Sequence, residues 1–184
     1  MKNTVVVNFT GAPGAGKSTG AAYVFSKLKM LGVDAELATE FAKDKVWENN
    51  STPFENQAYM FGKQSYRLSR VAGKVDVIVT DSPLLLSIIY NNDKRLTNNF
   101  NETVKDVWNS YNNITYFVNR VKPYNPNGRH QTEEESDELS RKIWNLFVEN
   151  DCDVHQIQGC QEDYDKVVLD IMCILQPDMY RPVN

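Results

Sequence analysis

The first residues that could do chemistry form a glycine-rich run near the start of the chain. Residues 11–18 read Gly-Ala-Pro-Gly-Ala-Gly-Lys-Ser, which matches the pattern G-x-x-x-x-G-K-[ST]. An apolar, β-branched run precedes this loop and a helical pattern follows it, which is the context that the motif requires. In such a loop the backbone N–H groups turn inward around a phosphate, and the N-terminus of the next helix adds positive potential.

Two side chains of the motif add specific chemistry to this cradle. The ammonium of Lys17 would neutralise the β and γ phosphates, and the hydroxyl of Ser18 would bind Mg²⁺. The sequence therefore predicts that the chain binds a nucleoside triphosphate together with Mg²⁺. The predicted phosphate-binding residues are Gly11, Ala12, Pro13, Gly14, Ala15, Gly16, Lys17, Ser18 and Thr19.

Two carboxylates follow predicted strands and are candidates for catalysis. Asp81 ends the apolar run 75–80, where it could bind the metal or a metal-bound water, or take part in proton transfer; the alternative is a helix cap ahead of Pro83. Glu40 follows the run 35–39 and could accept the proton of an acceptor hydroxyl or bind a sugar hydroxyl; the alternative is a solvated charge at a helix start. Asp44 could share a helical face with Glu40 and bind substrate.

Amides and cations elsewhere complete the set of candidate site residues. Gln57 and Gln64 lie on one face of a predicted helix, where their amides could bind a nucleobase edge or backbone carbonyls. The loop at 120–131 is rich in proline, glycine and asparagine and contains several cations, so it resembles a lid. Arg120 and Arg129 are the lid arginines predicted to reach the transferring phosphoryl group.

A GTPase is disfavoured by the residues that follow the strands. The position expected to hold an Asn-Lys-x-Asp guanine reader has residues 119–122, Asn-Arg-Val-Lys, without the aspartate. Residues 81–84, Asp-Ser-Pro-Leu, also lack the glycine of a GTPase switch.

Strand and helix patterns alternate along the chain, which predicts a parallel sheet covered on both faces. Ligands of such sheets bind beyond the carboxyl ends of the strands, where the candidate residues fall. The predicted strands are 5–9, 35–39, 75–80, 114–119 and 154–158. The predicted helices span about 17–31, 54–71 and 162–175, and a further helix opens with a capping box at 132–135.

Composition predicts one α/β domain over residues 1–184. The chain has a net charge of −4, so bulk attraction to nucleic acid or an anionic membrane is not expected. No apolar run reaches the roughly 18 residues of a membrane span, and the chain opens on a strand rather than a signal peptide. Three cysteines without metal-like pairing fit a reducing compartment. We therefore expect a cytoplasmic protein.

The ordered motifs resemble the nucleoside and nucleotide kinase branch of phosphate-loop proteins, including nicotinamide riboside kinase-like and deoxynucleoside kinase-like proteins. They are also similar to small phage-encoded kinases usually labelled as ATPases. The resemblance rests on the phosphate loop, the Gln64 helix, and the segments 40–44, 80–84 and 122–129. It implies a three-layer α/β/α fold with strand order 2-3-1-4-5, ATP as donor, and a nucleoside-like or nucleotide-like small-molecule acceptor.

Two further functions stay open at this point. Some phage kinases of this superfamily phosphorylate a hydroxymethylated base such as 5-hydroxymethyluridine within DNA, which would make DNA the substrate. A phosphate-loop ATPase that acts as a switch would have no transfer substrate at all. Deoxynucleoside kinases usually carry an arginine beside the carboxylate after the third strand, whereas here Ser82 follows Asp81, so the acceptor is not defined. The sequence does not indicate an oligomeric state.

Overall fold

A computed structural model of the protein describes residues 2–121 and 132–177. The strands are β1 (Val5–Thr10), β2 (Ala35–Ala38), β3 (Val77–Thr80), β4 (Asn112–Asn119) and β5 (Val154–Gln158). The α-helices in these residues are α1 (Lys17–Met30), α2 (Phe41–Trp47), α3 (Gln57–Ser69), α4 (Asn98–Asn109), α5 (Glu133–Glu149) and α6 (Gln161–Leu175). Short 3₁₀ turns occur at Thr52–Glu55 and Leu84–Ser87.

All five strands are parallel and lie in the order β2-β3-β1-β4-β5, which confirms the predicted sheet. Successive side chains of β1 point to opposite faces, so Val5 and Val7 pack in one core and Val6 in the other. Helices α1 and α6 cover the first core, and α3, α4 and α5 cover the second. The domain is thus the predicted three-layer α/β/α sandwich.

The helix α4 is absent from the sequence-based prediction. Its apolar residues Phe100, Val104, Val107 and Trp108 recur at helical spacing and face the core, with Val104 and Trp108 buried. The Thr97 side chain caps its first turn. The ring of Trp108 packs edge-on against Phe147 of α5, with centroids 5.7 Å apart. A local amphipathic pattern with an N-terminal cap therefore specifies this helix together with its packing, and this was the signal that could have predicted it.

Helix α3 begins three residues later than predicted, at Gln57 rather than Phe54. The side chain of Asn56 caps it by accepting a hydrogen bond of 3.0 Å from the N–H of Tyr59. Residues 52–55 form the 3₁₀ turn instead. Over the described ranges, no helix combines the length and apolarity needed to cross a membrane.

Replacing either of two helical glycines with alanine is expected to change stability, in opposite directions. A Cβ on Gly20 would lie 2.5 Å from Cε1 of Tyr164, whereas a Cβ on Gly62 would meet nothing within 4 Å. We expect Gly20→Ala to destabilise the protein by about 1–3 kcal/mol through overpacking. Gly62→Ala should stabilise it by up to about 1 kcal/mol through helix propensity. Urea unfolding of both variants measures this, and equal effects at the two sites would refute the packing argument.

Candidate active site

The phosphate loop connects β1 to α1 and depends on its glycines. Gly11, Gly14 and Gly16 have φ of 130°, 82° and 108°, a region that side-chain-bearing residues rarely adopt. Space is also limiting, because a Cβ on Gly11 would lie 2.6 Å from the carbonyl oxygen of Val118. A Cβ on Gly16 would lie 2.6 Å from the hydroxyl of Tyr164. The loop therefore fits closely between α1, β4 and α6.

The N-terminus of α1 is arranged to receive an anion. Its cap residue is Gly16, no side chain caps the helix, and its first turn has no acidic residue. Ser18 and Thr19 are exposed there. The ammonium of Lys17 donates to the carbonyls of Gly11 at 2.9 Å and Ala12 at 3.0 Å, which folds it over the loop. Donors and positive charge thus converge where a triphosphate would lie.

The register of the sheet brings the two candidate carboxylates together. Ala38 is paired with Thr80, so the residues that follow β2 and β3 leave the sheet side by side. The N–H of Glu40 donates to Oδ1 of Asp81 at 3.1 Å, although the two residues are 41 positions apart. Asp81 is buried, and no side chain caps the turn at Leu84–Ser87 that follows it. The capping alternative for Asp81 is therefore not observed.

The carboxyl group of Glu40 lies in an unusual electrostatic environment. Burial is the main cause that raises its pKa, and the nearby charges of Asp81 and Asp44 raise it further. The ammonium of Lys17 opposes this effect and favours the carboxylate. Lys17, Glu40 and Asp81 therefore form one electrostatic unit at the carboxyl edge of the sheet. A carboxylate with a raised pKa beside the lysine of a phosphate-loop motif is suited to accept a proton.

Tyr90 is a site residue that the sequence did not reveal. Although Tyr90 is 44% exposed, the protein around its phenol raises the pKa to about 12, and the charge of Glu40 contributes. A phenol is protonated near neutral pH with or without this shift, so Tyr90 could donate a hydrogen bond to a ligand bound near Glu40. Its position at the end of the apolar run 83–90 was the one available signal, and that run indicates burial rather than function.

The donors available for Mg²⁺ are few but suitable. Within residues 2–121 and 132–177, no cluster of three or more His, Cys, Asp or Glu side chains could hold a metal ion. Mg²⁺ in nucleotide sites usually takes one or two protein oxygens together with phosphate oxygens and water. The hydroxyl of Ser18 and the carboxylate of Asp81 fit that requirement, so they are the residues that would hold it.

Comparison with known proteins identifies the family. The AAA domain family matches residues 6–164, most of the chain. The chain belongs to this family. No curated protein matches it.

Two solved structures are similar in fold to this AAA domain. Shikimate kinase from Acinetobacter baumannii, in complex with shikimate, is 13% identical with a TM-score of 0.54, covering 98% of this chain and 97% of that one. Deoxyadenosine kinase from M. mycoides with bound dATP is 21% identical with a TM-score of 0.54, covering 93% of this chain and 99% of that one. The AAA domain therefore has the three-layer fold of phosphate-loop kinases.

In this AAA domain, Gln64 holds the backbone on both sides of Glu40. Its Oε1 accepts a hydrogen bond of 2.8 Å from the N–H of Phe41, and its Nε2 donates to the carbonyl of Thr39 at 3.3 Å. Gln64 is buried, so these backbone partners satisfy its amide. Of the two alternatives, the structure shows the backbone one, and recognition of a base by Gln64 stays an untested prediction.

The other predicted substrate residues also have partners within the protein. Gln57 is buried and its Nε2 donates to the carbonyl of Ser87 at 3.3 Å. The carboxylate of Asp44 forms an ion pair with Arg67 of α3. Arg67 also donates to the carbonyl of Thr39 at 2.8 Å, so it is not a free surface charge. Substrate binding by Gln57 and Asp44 remains a prediction.

Only part of the predicted lid lies within the described residues. Arg129 and residues 122–131 lie outside the described residues. Arg120, after β4, donates from one nitrogen to the carboxylates of Glu133 and Asp137, each at 2.9 Å. The same first turns of α5 reach the phosphate loop, because the hydroxyl of Ser136 donates to the carbonyl of Pro13 at 3.3 Å. The chain on either side of the predicted lid is therefore tied together next to the loop.

The raised pKa of Glu40 gives a prediction about pH. If Glu40 is the proton acceptor, it must be ionised, so kcat/KM should fall as pH falls through its pKa. Because burial raises that pKa, the acid limb should lie above the pH at which an exposed glutamate titrates. Measuring kcat/KM for phosphoryl transfer from pH 4.5 upward tests this. A flat profile down to the ordinary glutamate range would contradict it.

Proposed function

We propose that the protein is an ATP- and Mg²⁺-dependent kinase that transfers the γ-phosphate to a nucleoside- or nucleotide-type acceptor. The observation that carries the proposal is the position of Glu40, which the carboxylate of Asp81 and the amide of Gln64 hold beside the phosphate loop. A base placed at the edge where a γ-phosphate would lie is useful to phosphoryl transfer. The same carboxylate could also position a water for hydrolysis, so the acceptor assay below separates transfer from hydrolysis.

The chemistry follows from the roles that these groups can perform. The acceptor hydroxyl loses its proton to the Glu40 carboxylate as its oxygen forms a bond to the γ-phosphorus. The bond from that phosphorus to the bridging oxygen breaks, and ADP leaves. Lys17 and the backbone N–H groups of the loop stabilise the charge on the transferring group. Mg²⁺ held by Ser18 and Asp81 would neutralise phosphate charge.

The nucleoside class of acceptor is supported by one of the two structural neighbours and by the polar groups near Glu40. The deoxyadenosine kinase with the same fold carries dATP, and the shikimate kinase carries shikimate. Glu40 and the protonated phenol of Tyr90 supply an acceptor and a donor for a sugar hydroxyl. Arg120, close to the loop, is proposed to act on the transferring phosphoryl group together with Arg129.

The deciding experiment follows the γ-phosphate of labelled ATP in the presence of Mg²⁺. The acceptor pool contains nucleosides, nucleoside monophosphates, nicotinamide riboside, shikimate and DNA with hydroxymethylated bases, and products are resolved by mass. Label on a nucleoside or nucleotide supports the proposal, and label on shikimate or DNA replaces the proposed acceptor class. Label released only as inorganic phosphate, unstimulated by any member, indicates a switch-type ATPase and refutes a kinase for these acceptors.

A further inference from the structure

Helix α3 presents an open groove between two exposed tyrosines. Tyr59, Gly62, Lys63 and Tyr66 line a groove of about 410 Å³ on the outer face of the helix. Tyr66 is 66% exposed and Tyr59 is 41% exposed, although tyrosine rings usually bury much of their surface. The opposite face of the same helix is buried in the domain. These tyrosines are therefore not needed for the core.

The glycine in this groove has no structural role in the described part of the chain. Gly62 lies within α3, where glycine is unfavourable, and it is not in the left-handed region. A Cβ at this position would meet nothing within 4 Å. Because Gly62 has no side chain, the space between the Tyr59 and Tyr66 rings is open. These residues are seven positions apart, which corresponds to about 10 Å along the helix axis.

The charge around the groove is positive, in contrast to the whole chain. Residues 56–75 contain no Asp or Glu and carry Lys63, Arg70 and Lys74, although the chain has a net charge of −4. The charge of Arg67, in the same stretch, is balanced by Asp44. The ammonium of Lys63 lies 5.4 Å from the centroid of the Tyr59 ring. An aromatic surface edged by cations complements a ligand that has both flat rings and negative charge.

One end of the groove borders helix α2. The ring of Tyr59 packs edge-on against Phe41, with centroids 5.7 Å apart, and Phe41 directly follows Glu40. The guanidinium of Arg67 lies 5.4 Å from the centre of the same Phe41 ring. Phe41 is buried, so the groove is joined to the start of α2 through packed side chains.

We propose that this groove binds single-stranded nucleic acid, with bases stacked on Tyr59 and Tyr66 and backbone phosphates on Lys63 and Arg70. Stacking on tyrosine needs unpaired bases, which favours a single strand over a duplex. The cations favour a polyanion over a proline-rich peptide, which would need only the aromatic rings. The inference goes beyond the proposed function, because it concerns a surface on the outer face of α3 and does not depend on which acceptor is phosphorylated.

Fluorescence anisotropy with a labelled 12-nucleotide oligothymidylate, without ATP and at low salt, tests the groove. We expect binding that weakens as salt is raised. Tyr66→Ala should weaken it by about tenfold or more, whereas Tyr66→Phe, which keeps the ring, should stay within about twofold of the wild type. Lys63→Gln should reduce the salt slope by about 0.7. The matched control is Lys27→Gln, since Lys27 lies 5.3 Å from the Tyr23 ring on α1, against the other core.

Several outcomes would overturn the proposal. Absence of binding at low salt, equal affinity of Tyr66→Ala and wild type, or tighter binding of a duplex would each do so. If Tyr66→Ala instead dissociates a dimer in sedimentation, the groove is an interface between two copies. Lys17→Ala must retain oligonucleotide binding if the groove is independent of the phosphate loop. Failure of the kinase proposal would appear only in the phosphate-transfer assay, so the two proposals can fail separately.

Discussion

Replacing Lys17 with alanine is expected to abolish phosphoryl transfer, with kcat reduced by about 10³-fold or more. The ammonium lies over the phosphate loop and is within electrostatic range of Glu40. Lys17 is the cation that the described loop can place on the transferring group. One preorganised donor at such a position typically contributes about 10²–10³ in rate. The measurement is transfer of labelled γ-phosphate at saturating ATP.

A matched substitution separates this effect from a general loss of positive charge. Lys105→Ala removes an exposed lysine of α4 that pairs with Glu102 at 3.1 Å, and transfer should not change. Thermal unfolding of both variants should show that the fold is intact. Retention of more than about a tenth of the wild-type rate by Lys17→Ala would mean that Lys17 is not part of the chemical step.

Replacing Glu40 with glutamine is expected to lower kcat by about 10²–10⁴-fold, the usual contribution of a general base. Glutamine has almost the same shape, and the backbone N–H of residue 40 can still donate to Asp81. The dissociation constant of ATP should therefore stay within about threefold, because the phosphate loop is unaltered. The acid limb of the pH profile should also disappear, since the group whose pKa is raised has been removed.

Glu48→Gln provides the control for Glu40→Gln. Glu48 follows the same helix α2 and pairs with Lys45 at 2.5 Å on the surface, so its loss should leave kcat unchanged. Isothermal titration with ATP and steady-state kinetics across pH give both readouts. An unchanged kcat in Glu40→Gln would exclude Glu40 as the base, and Asp81 would then become the candidate for that role.

Local sequence signals predicted much of the architecture. The strand β5 has the predicted bounds, 154–158, because turn residues set off a short run on both sides. The capping box at Thr132 and Glu135 is present, since both of its hydrogen bonds join residues three apart. The strand order 2-3-1-4-5 is confirmed, although it was implied by the resemblance to kinases and not by periodicity.

Two helices differ from the sequence-based prediction. Helix α4 has apolar residues at helical spacing and a Thr97 cap, so its sequence could have indicated it, and only its packing partner on α5 needed the tertiary structure. The start of α3 depends on the Asn56 cap, which competes with the proline signal at Pro53. The difference at α3 arises because a single side-chain hydrogen bond outweighs the average preference of proline for a helix start.

The sequence by itself determined the phosphate loop, its flanking strand and helix, and the presence of carboxylates after two strands. These features depend on residues close together in the chain, so spacing alone specifies them. Only the tertiary structure decided that Asp81 holds the backbone of Glu40, that Gln64 binds on both sides of Glu40, and that Tyr90 lies nearby. The hydrogen bonds of Gln64 and Asp81 to the backbone at residues 40 and 41 join positions 23 and 41 residues apart. They form because β2 pairs with β3 and because α3 packs beside them. Strand register and side-chain packing, which local sequence patterns do not specify, bring the groups of the site together.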